Sequence, residues 1–152
     1  MGGGAAMNEV HEQLVQAAIA ATHNAYAPYS NFHVGAALLL DDGKIVTGSN
    51  FENASYGMTL CAETVAIAKA NSDGQMRRIV AIAVAGGPKS SEGGAVIGAE
   101  PITPCGRCRQ VIKEVADEVT IDLPVHCAHA SGYETHLLSE LLPYGFGPAS
   151  LR

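Results

Sequence analysis

Apolar positions along the chain switch between two periods. Across residues 8–23, Val10, Leu14, Ala17, Ala18 and Ala21 fall on one helical face, which predicts an amphipathic helix capped by Asn8. The segment AYAPYSNF, with Pro28 and a Ser-Asn pair, breaks it. Residues 33–40 and 44–49 then read as two strands, joined at Asp41-Asp42-Gly43, a hairpin turn signal. After the loop NFENASYG, residues 61–70 read as a second helix whose Ala62, Val65, Ala66 and Ala68 are small packing residues. The almost continuous apolar run RIVAIAVA, residues 78–85, predicts a central strand buried on both faces.

Residues 86–98 are rich in Gly and Ser and read as a loop. Residues 104–116 read as a third helix, with Thr103 as N-cap and Pro104 as first helical residue. Residues 123–128 form another predicted strand. The tail from Gly132 holds a short helical piece, LLSELL, followed by the irregular PYGFGP. The order α-β-β-α-β-α-β predicts a mixed sheet with helices on both faces.

Composition narrows this picture. At 152 residues the chain suits one domain, with residues 1–7 (MGGGAAM) as a flexible lead and 8–152 as the domain. The lead lacks the basic and apolar regions of a secretory signal, and Ala6 stands where a myristoylation pattern wants Ser or Thr. No apolar run approaches the roughly 18 residues of a membrane span, so the expected compartment is the cytoplasm. Hydrophobic residues make up 47% and charged residues 16%, a balance that suits an ordered chain with apolar surface to bury against other copies.

The net charge of -6 leaves nine Lys and Arg thinly spread, clustered only at Arg77-Arg78 and Arg107/Arg109. That argues against a nucleic acid polymer and for a small neutral substrate. Four cysteines in a reducing compartment point to metal or redox chemistry.

Two short pieces carry that chemistry: Cys61-Ala62-Glu63 and Pro104-Cys105-Gly106-Arg107-Cys108. At a helix start, residues three apart share a face, so Cys105 and Cys108 can point at one ion. A helix N-terminus also favours thiolate over thiol. Cys127 lies in the apolar strand PVHCAHA and reads as a packed core thiol. Three cysteine ligands then leave one open position, the arrangement of a catalytic zinc site. Glu63 can face the same ion only if Cys61 sits in or just before the first helical turn.

Together the pieces form the zinc-deaminase pattern, Cys-x-Glu followed about forty residues later by Pro-Cys-x-x-Cys. Two other classes fit parts of it. A structural zinc module would need a fourth ligand from Cys127, His126 or His129. A thiol-disulfide oxidoreductase would use Cys105 and Cys108 and leave Cys61 and Glu63 without a role.

The chain resembles the cytidine deaminase family, in its small form with three cysteine ligands. PYSNFHVGAAL, NFENASYG, CAE, PCGRCRQ and LLPYGFGP carry the resemblance in order, over roughly residues 8–148. It implies a three-layer α/β/α sandwich, one zinc ion per chain, and a homotetramer with shared active sites. It also implies hydrolysis of cytidine and deoxycytidine in pyrimidine salvage, with Glu63 as proton shuttle.

By the same resemblance Phe32 and Ala62 belong to the substrate pocket, and Asn50 and Glu52 bond the ribose hydroxyls. Tyr56 and Phe146 would come from neighbouring subunits, Phe146 closing over the base. Blasticidin S deaminases share CAE and PCGRCRQ, so blasticidin S or N4-modified cytidines are alternative substrates. The family commonly carries Arg after CAE, where it offsets thiolate charge. Here that residue is Thr64, which leaves the task to helix N-termini or to Arg107 or Arg109.

Overall fold

The computed structural model describes residues 2–152. Helix α1 (Gly2–Ala21) opens the chain. Strands β1 (Phe32–Leu40) and β2 (Ile45–Ser49) follow, then helix α2 (Ala62–Ser72) and strand β3 (Ile79–Pro88). Helix α3 (Gly106–Val119), strands β4 (Pro124–His129) and β5 (Gly132–Leu137) and the short helix α4 (Leu138–Leu141) complete it. The five strands form one sheet in the order β2-β1-β3-β4-β5. β3 and β4 pair in parallel and every other neighbouring pair is antiparallel, so the sheet is mixed.

Side chains alternate across a strand, and here the alternation divides the core in two. On one face, Leu38 and Leu40 of β1 and Ile82 of β3 pack with Ala66, Ile67 and Ala70 of α2 and with Ile112 and Val115 of α3. On the other, Ala37 and Leu39 of β1 and Ala81, Ala83 and Ala85 of β3 pack with Leu14, Val15 and Ala18 of α1. The result is the three-layer α/β/α sandwich. As RIVAIAVA predicts, β3 is central and buried on both faces.

Close packing at one glycine sets where α2 lies. A Cβ on Gly48 would fall 2.5 Å from the Ala62 carbonyl oxygen and from the Ala66 nitrogen, so glycine lets the first turns of α2 rest directly on β2. Gly43 serves the expected hairpin turn with a φ of 89°, and its N–H donates to the Leu40 carbonyl.

Three elements differ from expectation. The first helix starts at Gly2, so Asn8 is interior rather than a cap, and the lead is helical over residues 2–7; Met1 lies outside the described residues. Ala5, Ala6 and Met7 are good helix formers and extend the helix backward. The third helix starts two residues later than expected, with Cys105 rather than Thr103 as N-cap and Pro104 outside the helix. Finally, GYETHL forms the edge strand β5, a fifth strand absent from the expected α-β-β-α-β-α-β order. Only Tyr133 and His136 of this strand are partly buried and the rest is exposed, so it carries no alternating apolar pattern to read. The short helical piece near LLSELL is present as α4, and residues 142–147 after it are irregular.

Candidate metal centre

Helices α2 and α3 aim their N-termini at one point. Cys61 is the N-cap of α2 and Cys105 the N-cap of α3, both with extended backbone. Cys61 accepts the first helical bond from the Val65 N–H at 3.0 Å, and Cys105 accepts from the Arg109 N–H at 2.9 Å. The remaining first-turn N–H groups give each helix end a partial positive charge. The Sγ atoms of Cys61, Cys105 and Cys108 all lie within 4.8 Å of one another, and those of Cys61 and Cys105 are 3.8 Å apart.

A tetrahedral zinc ion with sulfurs at about 2.3 Å requires sulfur–sulfur distances of about 3.8 Å. The three thiolates therefore fit one zinc ion per chain. Among the described residues the group holds three ligands and no fourth. Cys127 is fully buried in β4, where burial pushes its thiol up to about 11. His126 faces the other side of the sheet, bonded to His11 and Thr135, and His129 bonds Ser131. None of the residues a closed structural site would recruit reaches the cluster.

Cluster electrostatics follow from three sulfurs in close quarters. Hydrogen bonding to Cys108 is the largest influence on Cys61 and draws it down to about 6, with further help from Cys105 and the Arg107 guanidinium. The Cys108 thiol moves up, because the same hydrogen bond and its burial hold its proton. Thr64 places its hydroxyl 3.8 Å from the Cys108 sulfur. Of the two arginines considered for charge compensation, Arg107 acts on Cys61, and Arg109 is engaged elsewhere.

Glu63 lies in the first turn of α2, two residues after the N-cap, which meets the geometric condition set by the sequence. Its side chain is buried, and burial raises its carboxyl above the usual carboxylate range. A cavity of ≈ 250 Å³ opens over it, lined by Phe32, Asn50, Cys61, Ala62, Glu63 and Cys105. Val34, Thr59, Leu60, Ile102 and Thr103 line it too. Sequence reasoning missed these five; Thr103, read as a helix cap, was the most visible of them. Larger hollows of ≈ 580 and ≈ 550 Å³ lie elsewhere, away from the three cysteines.

The remaining expected residues divide into two groups. Asn50 is nearly buried and pins the start of β1: its Oδ1 accepts from the Val34 N–H and its Nδ2 donates to the Phe32 carbonyl, both at 2.9 Å. Glu52 lies outside the cavity lining and accepts from the backbone N–H groups of Tyr29 and Ser30 at 2.9 and 3.1 Å, and from the Ser30 hydroxyl. Partial burial pushes its carboxyl up, but these bonds outweigh that and hold it below its ordinary value. Tyr56 and Phe146 do not reach the cavity of their own chain and stand 74% and 59% exposed.

Comparison with known proteins agrees with this centre. Residues 8–121 match the family model described as the cytidine and deoxycytidylate deaminase zinc-binding region. The chain belongs to that family. It is 44% identical over 136 residues to a cytidine deaminase of Halalkalibacterium halodurans, covering 89% of this chain and 92% of that protein. It is also 44% identical over 128 residues to a cytidine deaminase of Mycobacterium tuberculosis, covering 84% of this chain and 82% of that one. Among solved structures, the cytidine deaminase of Burkholderia pseudomallei superposes with a TM-score of 0.75 at 42% identity, covering 90% of this chain and 98% of that chain.

Proposed function

We propose that this chain hydrolyses cytidine and deoxycytidine to uridine and deoxyuridine, releasing ammonia, as a zinc-dependent enzyme of pyrimidine salvage in the cytoplasm. The observation that carries the reading is the buried Glu63 carboxyl beside three zinc-binding thiolates, at the floor of a cavity sized for a small molecule. Bound at Cys61, Cys105 and Cys108, zinc supplies a Lewis acid that makes water a nucleophile near neutral pH.

The chain's own residues do the rest. Glu63 accepts a proton from the attacking water and passes it to N3 of the base; it then takes the second proton from the hydroxyl now bonded to C4 and delivers it to the amine, which leaves as ammonia. Its burial supports this role, since a carboxyl held above its ordinary range is better matched to shuttling protons near neutrality. Phe32 and Ala62 hold the base. Asn50 and Glu52, one at the cavity wall and one beyond its lining, hold the ribose hydroxyls; the hydrogen bonds that fix them set their geometry before substrate arrives.

The active unit is a homotetramer. Its support is the apolar surface carried by Tyr26, Tyr29, Phe51, Tyr56, Met58 and Phe146, all exposed on the single chain. Tyr56 and Phe146 complete the site of a neighbouring subunit. No helix of the described residues is long and apolar enough to cross a membrane.

Stripping zinc with a chelator and restoring it tests the reading. Cytidine conversion should vanish and return with about one zinc per chain. Conversion of blasticidin S or N4-methylcytidine, with cytidine untouched, would overturn the substrate assignment and keep the reaction.

A further inference from the structure

Residue 109 grips three consecutive residues of the segment that delivers a metal ligand. Its backbone N–H donates to the carbonyl of Cys105 at 2.9 Å. Its Nε donates to the carbonyl of Pro104 at 2.7 Å, and its Nη2 to the Thr103 hydroxyl at 2.9 Å. The third nitrogen, Nη1, donates to the carbonyl of Leu141 at 2.8 Å, at the end of α4. One guanidinium thus spends all three nitrogens, each on a different residue. The next residue, Gln110, donates from Nε2 to the Phe146 carbonyl at 2.8 Å.

We infer that Arg109 is a positioning residue of the metal centre: it fixes the Cys105 thiol by clamping Thr103 and Pro104 to α3 and bracing them against the C-terminal segment. The clamp compensates for a weakness in the local fold. Pro104 has no N–H to donate, and Cys105 receives no side-chain cap. Thr103 and Cys105 are both exposed, and of the three residues only Pro104 packs into the interior. Without the clamp, Cys105 is held by the buried Pro104 ring and by the backbone bond that opens α3, neither of which fixes the Thr103 side of the segment.

The fork explains why arginine stands here. A lysine carries a single point of attachment and cannot span acceptors on Thr103, Pro104 and Leu141 together. Groups that orient metal ligands typically change metal affinity by 10–100-fold when lost. The bond to Leu141 extends the consequence: α4 leads directly into the segment carrying Phe146, so the placement of that segment and of Cys105 share one support.

This inference rests on the zinc reading of the three cysteines, and the test separates the two. Zinc release to a strong chelator is followed in the wild type, Arg109→Lys and Thr103→Val. The thiolate-to-metal absorption of the cobalt-substituted proteins is recorded alongside. Wild-type protein without stoichiometric zinc would sink the zinc reading itself.

With zinc bound in the wild type, Arg109→Lys should release it roughly 10–100-fold faster and shift the cobalt spectrum. Thr103→Val, which removes one acceptor, should show a smaller acceleration in the same direction. A folded Arg109→Lys with the wild-type release rate and spectrum would overturn the inference. If Arg109→Lys does not fold, Thr103→Val decides: faster release supports the clamp and unchanged release overturns it.

Discussion

The two faces of the sheet share strands β1 and β3, yet helices meet them in opposite ways. On one face α1 lies sideways across Ala81, Ala83 and Ala85, with Leu14, Val15 and Ala18 buried against them. Its polar groups are satisfied internally; even the buried His126 is bonded to His11 at 2.6 Å and to Thr135 at 2.8 Å. On the other face, α2 and α3 also bury apolar sides but direct their N-terminal ends at a shared point. A helix side offers packing, whereas a helix end offers unspent N–H groups and partial charge. The α1 face therefore carries stability without chemistry, and the α2/α3 face carries both.

Substitutions on the two faces should separate these contributions. The largest effect is expected at Glu63. Glu63→Gln should lower cytidine turnover by roughly 10²–10⁴-fold while keeping zinc, checked by steady-state assay and metal analysis on one sample. On the α1 face, Leu14→Ala should instead cost about 2–5 kcal/mol of stability in denaturant unfolding and leave the zinc content unchanged.

A pH dependence probes the same face. Burial, and then the neighbouring His11, lower His126 to about 4 from 6.5. The folded state thus resists the charged form, so this contribution is full above the unfolded value and is lost as pH falls toward the folded one. His126 should account for up to about 3 kcal/mol of the stability lost between those values. Unfolding curves across that window should be visibly flatter for His126→Gln than for the wild type. The smallest effect is expected at the far end of α3, where Thr120 sits at a φ of 54°. Thr120→Gly should raise stability by about 0.5–1 kcal/mol, read as a small increase in the unfolding midpoint.

The legibility of the sequence follows the same division. Buried strands and amphipathic helices leave strong periodic signals, so β1, β2, β3, β4 and the body of each long helix were readable. The edge strand β5 was not, because it is largely exposed and its polar residues resemble a loop. Helix ends were the weaker point. Thr103 and Pro104 have the chemistry of a helix start, but Cys105 occupies the cap, and Thr103 faces the Arg109 guanidinium instead.

The metal ligands were readable because cysteine spacing and helix geometry restrict each other. Val34, Leu60 and Ile102 were not, since an apolar cavity wall and an apolar core look alike in a sequence, and Thr59 stands in a loop that no spacing marks. The roles proposed for Asn50, Glu52, Tyr56 and Phe146 rest on resemblance alone, and no spacing in the chain singles them out.

The most direct test of the central claim is to follow cytidine conversion by ultraviolet absorbance on purified protein, with zinc determined on the same sample. The account predicts about one zinc per chain and rapid conversion to uridine. Full zinc with no conversion of cytidine would contradict it, as would conversion by protein from which zinc had been removed.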